Sequence, residues 1–204
     1  LTPRSRIQRK SAENLARSSL MVPQVTQFDL ADITELEAFR LTQRDRFKAD
    51  GLSLTMTALA AKTVAYLLRE MPQFNASLSR DGESLVLKQY VNLGIAVDTP
   101  NGLMVPVLHN ADRMSLREIA EQLGVLAEQA RTGKLPPAAM QGASFTISSL
   151  GGIGGTAFTP LVNWPEVAIL GLSRASKAPV WNGSAFEPRL QLPLSLSYDH
   201  RVID

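Results

Sequence analysis

The segment RLQLPLSLSYDHRVID, residues 189–204, combines a strand pattern with one of the two histidines of the chain. Every second residue is apolar as far as Tyr198, so one face of this strand is apolar. That face carries Leu190, Leu192, Leu194, Leu196 and Tyr198. Continuing the alternation puts His200 on the same buried side, at the end of the strand. A histidine there is more often a core residue than a catalyst, although a neutral imidazole with a pKa of about 6.5 is also a suitable base.

The composition is that of one folded domain. Its 204 residues suit a single domain, and with 45% apolar and 20% charged residues it can form a core and is not expected to be disordered. No apolar run reaches the roughly 18 residues that a membrane-spanning helix needs, and the first residues do not resemble a signal peptide. Without cysteine the chain forms no disulfide, which fits a reducing cytoplasm. The histidines and carboxylates show no metal-ligand spacing, so we expect no metal site.

Positive charge is concentrated at the start of the chain, although the net charge is only +2. The first 20 residues contain a single acidic residue, Glu13, against five basic ones, namely Arg4, Arg6, Arg9, Lys10 and Arg17. Such a patch can bind phosphates of a nucleic acid or of a phosphorylated cofactor, or it can be a solvated helix face. No nucleic-acid-binding pattern accompanies it.

Helix and strand patterns together predict an α+β domain with a mixed sheet. The predicted helices cover residues 5–20, 32–47, 54–70 and 115–133. The second begins at a capping box formed by Asp32 and Glu35, and the fourth at one formed by Ser115 and Glu118. The third is apolar on nearly every face and should lie inside a core or an assembly. Turns at 81–82, 100–102 and 182–183 separate predicted strands.

The stretch FTISSLGGIGGTAF, residues 145–158, is the second candidate site. Its glycines fit a dinucleotide-binding fingerprint, but two prolines interrupt the residues that follow, so no helix is expected there. The glycines then indicate a sharp turn or a close backbone approach. Ser148 and Ser149 end the preceding strand, where a hydroxyl can face a reacting centre or satisfy local backbone. The G-x-S-x-G pattern of serine hydrolases is absent.

The ending DHRVID, residues 199–204, resembles the D-H-R-x-x-D signature of dihydrolipoyl acyltransferase catalytic domains. Four other stretches also resemble this family and occur in the chain in the family's order. They are VTQFDLADITELEAFR, GIAVDTPNGLMVPVL, GKLPPAAMQGASFTISSLGGIGGTAFTP and EVAILGLS. The resemblance covers nearly the whole chain. It implies the α+β fold of chloramphenicol acetyltransferase, with a mixed sheet and flanking helices. The serine pair is more similar to the acetyltransferases of pyruvate dehydrogenase complexes than to succinyl enzymes. Branched-chain or succinyl transfer, or an assembly scaffold with impaired catalysis, remain alternatives.

The resemblance also implies a mechanism and roles for particular residues. Acetyl groups would pass between dihydrolipoamide and coenzyme A, with His200 as general base and Ser148 donating a hydrogen bond to the tetrahedral oxyanion. Asp204 would hold the His200 loop. The basic segment would lie near coenzyme A phosphates, with Arg6 and Arg9 as candidates.

The family further implies partners. These are a homotrimer in which His200 faces Ser148 of a neighbour, a core of 24 subunits in the intact protein, a separate lipoyl domain, and the pyruvate dehydrogenase and dihydrolipoyl dehydrogenase subunits. Residues 1–204 are expected to be the catalytic core alone, without lipoyl or subunit-binding domains and without the family's C-terminal tail. Gln24 and Trp164 depart from residues common in the family, namely histidine and a small residue.

Overall fold

The computed structural model describes residues 2–100 and 102–204. Within these residues it has four α-helices, α1 (Arg6–Met21), α2 (Thr34–Ala49), α3 (Met56–Glu70) and α4 (Leu116–Arg131). The strands are β1 (Gln24–Asp32), β2 (Ala76–Leu78), β3 (Leu85–Leu87), β4 (Leu93–Ile95), β5 (Val107–Leu108), β6 (Phe145–Ser149), β7 (Ala168–Leu172), β8 (Ser176–Trp181) and β9 (Phe186–Asp199). Each predicted helix is present. Asn101, in the predicted 100–102 turn, lies outside the described residues.

One mixed sheet organises the molecule and confirms the predicted α+β class. Its strand order is β1-β9-β7-β6-β4-β5, and β8 pairs with the first half of β9. The central strands β4, β6 and β7 run parallel to one another, whereas β1, β5, β8 and β9 pair antiparallel with their neighbours. A separate hairpin of β2 and β3 turns at Gly82, whose φ of +79° favours glycine. The carboxyl ends of the three parallel strands therefore meet at one edge of the sheet.

A helix layer formed by α3 and α4 covers one face of this sheet. Buried side chains of α3 such as Leu59 and Leu68 pack in one core with Ile119 of α4 and with Leu93 and Ile147 of the sheet. This position agrees with the prediction that the third helix lies inside a core or an assembly, since its inner side is buried in the core. Its outer side stays open, because nothing in the described chain covers Tyr66, which is 61% exposed.

Two helix starts show what local sequence does and does not determine. The Ser115 hydroxyl accepts a hydrogen bond from the Glu118 amide, and the Glu118 carboxylate accepts one from the Ser115 amide, so the predicted capping box of α4 is confirmed. The box predicted at Asp32 is wrong, since β1 continues through Asp32 and the helix begins only at Thr34. The Asp32 carboxylate instead accepts from the Thr34 amide at 3.0 Å and pairs with Arg189 of β9 at 2.6 Å.

The face opposite the helix layer contains a buried carboxyl group. Glu166 accepts hydrogen bonds from the hydroxyl of Thr146 on β6 at 2.6 Å and from the Asn163 amide at 2.7 Å. Burial raises the pKa of this carboxyl to about 7 from an ordinary 4.5, although the two hydrogen bonds and the nearby Lys88 ammonium oppose the rise. Glu166 therefore binds its proton more tightly in the folded protein than in the unfolded chain.

We expect the free energy of unfolding to decrease as the pH rises from about 4.5 to 7, the range between the ordinary and the raised pKa of Glu166. The Glu166→Gln variant should lack this decrease. Between about pH 4.5 and 7 the folded state holds a proton that the unfolded chain releases, so the free energy of unfolding decreases by up to about 3 kcal/mol. Denaturant unfolding across that range measures it. The control variant Glu83→Gln, at an exposed carboxylate, should show the same dependence of unfolding free energy on pH as the wild type. If Glu166→Gln also kept that dependence, the raised pKa of Glu166 would be contradicted.

Candidate active site

Ser148 lies near the carboxyl end of β6, in the middle of the sheet. Its neighbour Ile147 is fully buried in the core beneath the helices. Because side chains alternate along a strand, Ser148 shares the opposite face with Thr146. It is half-buried, and it stands directly beside Gly171 of β7, which in turn pairs with Ser195 of β9.

The position beside Ser148 is occupied by an aromatic ring rather than by a side chain of β7. A Cβ atom placed on Gly171 would lie 2.6 Å from the Phe158 ring, closer than such contacts allow. Glycine at this position therefore lets the tip of the Phe158 ring approach the strand next to the serine. The ring therefore occupies the place that a side chain of β7 would have beside Ser148.

The glycine loop that follows β6, residues 150–155, is a tight turn and not the start of a helix. The Leu150 carbonyl accepts hydrogen bonds from the Ile153 and Gly154 amides at 2.9 and 2.8 Å. Arg174 donates to the carbonyl groups of Gly151 and Gly152, each at 3.1 Å. No helix follows within the described residues up to β7, so the prediction that no helix begins at these glycines is confirmed.

His200 is not on the buried side of β9, and that prediction is wrong. The strand ends at Asp199, and the chain turns at once, so the alternation of the strand no longer decides where the next side chain points. The imidazole is 48% exposed, and its ring centre lies 5.9 Å from that of Tyr198. Its backbone amide donates to the Pro23 carbonyl at 3.0 Å, which ties the turn to the start of β1.

Two charged residues that flank His200 bind each other. Arg201 donates through Nε to Oδ1 of Asp199 at 3.0 Å and through Nη2 to Oδ2 at 2.7 Å. The Asp199 carboxylate is buried, and this pairing raises the pKa of the Arg201 guanidinium. Sequence reasoning assigned no role to either residue. The signal was the pair of opposite charges two positions apart around a histidine.

Asp204 stands close to the imidazole but makes only a weak contact. Its Oδ1 atom lies 4.0 Å from Nδ1 of His200, and its side chain is fully exposed. No hydrogen bond to this carboxylate is formed by any residue in the described ranges. His109, the other histidine, is exposed on a loop after β5, as predicted.

Ser148 and His200 lie toward opposite ends of the strands within one chain. The register places Ser148 in line with Ser195, two strands away, and His200 follows Ser195 by five residues. With strands about 4.8 Å apart and about 3.3 Å per residue, the two Cα atoms are roughly 19 Å apart. A single chain therefore does not bring the serine and the histidine together.

A cleft of about 1110 Å³ opens at the end of β6 that carries the serines, but on the helix side of the sheet. Ser149, Gly152 and Ile153 line it together with the first turn of α3 and one side of α4, whereas Ser148 does not line it. None of the helices in residues 2–100 and 102–204 is long and apolar enough to cross a bilayer. The same residues hold no group of three or more histidines, cysteines or carboxylates placed to bind a metal ion.

Comparison with known proteins places this arrangement in a family. The family model described as 2-oxoacid dehydrogenases acyltransferase (catalytic domain) matches residues 2–204. The chain belongs to this family. The chain is 60% identical over 202 residues to the dihydrolipoyllysine-residue acetyltransferase component of the pyruvate dehydrogenase complex of Azotobacter vinelandii, covering 99% of this chain and 32% of that protein. The corresponding Pseudomonas aeruginosa component is 56% identical, with 98% and 37% covered. The acyltransferase domain thus spans about a third of the length of these relatives.

Solved structures agree with the fold. The dihydrolipoamide acetyltransferase of A. vinelandii superposes with a TM-score of 0.99 at 59% identity, covering 100% of this chain and 84% of that one. The cubic core of a pyruvate dehydrogenase multienzyme complex gives 0.98 at 60% identity, with 100% and 84% covered. A chloramphenicol acetyltransferase gives 0.55 at 18% identity, with 94% and 86% covered, which confirms the predicted fold and no more.

The two unusual residues of this acyltransferase domain have structural contacts. Gln24 accepts from the Val162 amide at 2.9 Å and donates to the Pro160 carbonyl at 3.2 Å, so it fastens the segment before β7 to β1. The Trp164 ring lies 5.6 Å from the Arg17 guanidinium, and its amide donates to Ser18. The Trp164 side chain therefore contributes a cation–π contact between this segment and α1.

The arginines predicted to meet phosphates, Arg6 and Arg9, both lie on the exposed side of α1. Within the described residues neither has an ion pair or a side-chain hydrogen bond. They do not line the small pocket of about 190 Å³ between α1 and Gly102, which Arg4 and Gln8 line instead.

Proposed function

We propose that this domain transfers an acetyl group between dihydrolipoamide and coenzyme A, as part of a pyruvate dehydrogenase complex. One observation carries the proposal. The A. vinelandii structure was determined to investigate a serine, a histidine and an asparagine in the catalytic mechanism, separated by 52 and by 4 positions. Ser148, His200 and Asp204 have the same two separations. Both the serine and the histidine are accessible here, and an aspartate replaces the asparagine.

His200 is proposed as the general base. A free thiol has a pKa of about 8.5, so little reactive thiolate is present near neutrality. The imidazole removes the proton from the coenzyme A thiol as the sulfur attacks the acetyl carbonyl of acetyl-dihydrolipoamide. When the tetrahedral intermediate collapses, the carbon–sulfur bond to dihydrolipoamide breaks, and the imidazolium returns the proton to the departing sulfur. A base of this kind contributes about 10²–10⁴ in rate.

Ser148 is proposed to donate a hydrogen bond to the oxygen that becomes negative in this intermediate. One such donor contributes about 10²–10³ in rate. Neither residue forms a covalent acyl intermediate, and the scheme requires no metal ion. Asp204 is assigned to holding the His200 turn and not to proton transfer. The exposed guanidinium groups of Arg6 and Arg9 are proposed to meet the phosphates of coenzyme A.

The proposal requires two chains for each site. Because Ser148 and His200 are roughly 19 Å apart by strand geometry in one chain, each would meet its counterpart on a neighbouring copy. We propose a homotrimer with three such sites, and a 24-subunit core in the intact protein, since a relative of known structure forms a cubic core. A separate lipoyl domain would bring the substrate, and the pyruvate dehydrogenase and dihydrolipoyl dehydrogenase subunits would be partners. The cytoplasm is the proposed location.

A transfer assay tests this function. The purified domain is mixed with acetyl coenzyme A and dihydrolipoamide in the presence of a chelator, and with acetyl coenzyme A in water alone. We expect acetyl-dihydrolipoamide and little free acetate, because the site offers a base and an oxyanion donor but no nucleophile. Succinyl and branched-chain coenzyme A esters run beside it should react more slowly. Acetate release at a comparable rate would indicate a hydrolase, and no transfer at all would indicate a scaffold.

A further inference from the structure

The turn that presents His200 is built around the buried carboxylate of Asp199. The Asp199 amide donates to the Val167 carbonyl at 2.9 Å, which holds the residue in the sheet. Its own carbonyl accepts from the amides of Val202 at 2.9 Å and Ile203 at 3.0 Å. The chain thus wraps around Asp199, and His200 forms the outer corner of the turn.

Arg201 supplies every hydrogen bond that the Asp199 carboxylate receives in the described residues. Its guanidinium binds both oxygens, and its backbone amide donates to Oδ1 at 3.0 Å. A buried carboxylate without such partners is strongly destabilised, so the two residues are held as one unit. His200 stands between them in the chain. Because Asp199 and Arg201 bind each other, the peptide groups on both sides of the histidine are held in place.

A carboxylate next to a histidine commonly orients the imidazole by accepting its N–H. Asp199 does not do so here, because its oxygens face Arg201, and the carboxylate nearest the imidazole is that of Asp204 at 4.0 Å. Asp199 and Arg201 therefore act on His200 through the backbone and not through a bond to the ring.

We propose that Arg201 is a positioning residue for acyl transfer. By binding the Asp199 carboxylate, it sets the direction of the side chain of His200, which stands between the two residues in the chain. The inference rests on the proposed function, in which His200 is the base. Arginine is needed because its planar guanidinium donates hydrogen bonds to both carboxylate oxygens at once. A lysine ammonium is a point charge that does not reproduce this two-point contact. A misplacement of a reacting group by about 1 Å can cost 10²-fold in rate.

The test compares Arg201→Lys with Arg189→Lys. Arg189 also pairs with an aspartate, Asp32, but at the far end of β9. We expect Arg201→Lys to lower kcat about 10- to 100-fold, with the KM values for both substrates within about twofold of wild type. The acid limb of the pH–rate profile should stay in place, since Arg201 does not touch the imidazole. Arg189→Lys should keep the wild-type kcat.

A second measurement keeps the test independent of activity. The chain has only two histidines, so imidazole resonances in NMR spectra separate His200 from His109. Arg201→Lys should shift or broaden the His200 signal and leave that of His109 unchanged. Should Arg201→Lys fail to fold, the neutral pair Asp199→Asn with Arg201→Gln retains a hydrogen bond without the buried charge, and the same loss of kcat is expected.

Two results would overturn the proposal: a folded Arg201→Lys variant with wild-type kcat, or an acid limb that moves with the substitution, which would mean an electrostatic effect on the ring. A His200→Ala variant that retains full transfer would overturn the proposed function instead. The two failures are therefore distinguishable.

Discussion

Mixed assemblies of a Ser148→Ala chain and a His200→Ala chain are expected to recover about a third of the activity of the wild-type trimer, although each variant alone is inactive. In a cyclic trimer each site joins the serine of one chain to the histidine of the next, so any trimer containing both variants has one intact site in three. The two chains are co-expressed with different affinity tags and purified through both. Acetyl transfer per trimer is then measured.

The controls distinguish a shared site from a site within one chain. Ser148→Ala chains carrying both tags should remain inactive, which excludes an effect of the tags. If the serine and the histidine acted within one chain, the mixed assembly would also be inactive, because no chain has both residues. That result would require a large movement of the turn at His200, against the strand register described above.

The second large effect concerns the two residues separately. His200→Ala should lower kcat by about 10²–10⁴ and Ser148→Ala by about 10²–10³, with smaller changes in KM, because both groups are proposed to act mainly in the transition state. Steady-state kinetics with both substrates measures this. Ser149→Ala and His109→Ala are matched controls, since Ser149 lies on the other face of β6 and His109 on a distant loop.

Full turnover in Ser148→Ala would rule out the oxyanion role, and full turnover in His200→Ala would rule out the base. Loss of folding, detected by circular dichroism, would assign either residue to structure. Binding of coenzyme A measured by calorimetry should remain close to wild type in both variants. A large loss of binding would mean that the residue contacts the substrate before the reaction begins.

Features that depend on neighbouring residues were predictable from the sequence. The start of α4 follows from Ser115 and Glu118, three residues apart, and β9 follows from its alternating leucines. The absence of the predicted capping box at Asp32 was not predictable, because Asp32 is the last residue of a strand paired with β9 and its carboxylate binds Arg189, 157 residues away. Local patterns do not include such a partner.

The candidate site shows the same division. The position of Ser148 at a strand end and the sharp turn after it were read from the residues themselves, whereas their chemical roles came from the resemblance to a family. The exposure of His200 was missed, because the alternation of β9 stops at a turn that Asp199 and Arg201 build together. The distance between serine and histidine depends on the register of β6, β7 and β9, which no single segment contains.

The separation of these two residues has a consequence for when activity begins. Under the proposed site, which takes its serine and its histidine from two chains, a newly made chain would hold two incomplete halves of different sites and would be inactive until it met other copies. Under the proposed trimer, the specific activity should rise steeply with protein concentration below the dissociation constant of the assembly and then level off. The proposal therefore makes assembly the step that starts thioester exchange, and it predicts that an isolated or misassembled chain does not consume acetyl coenzyme A.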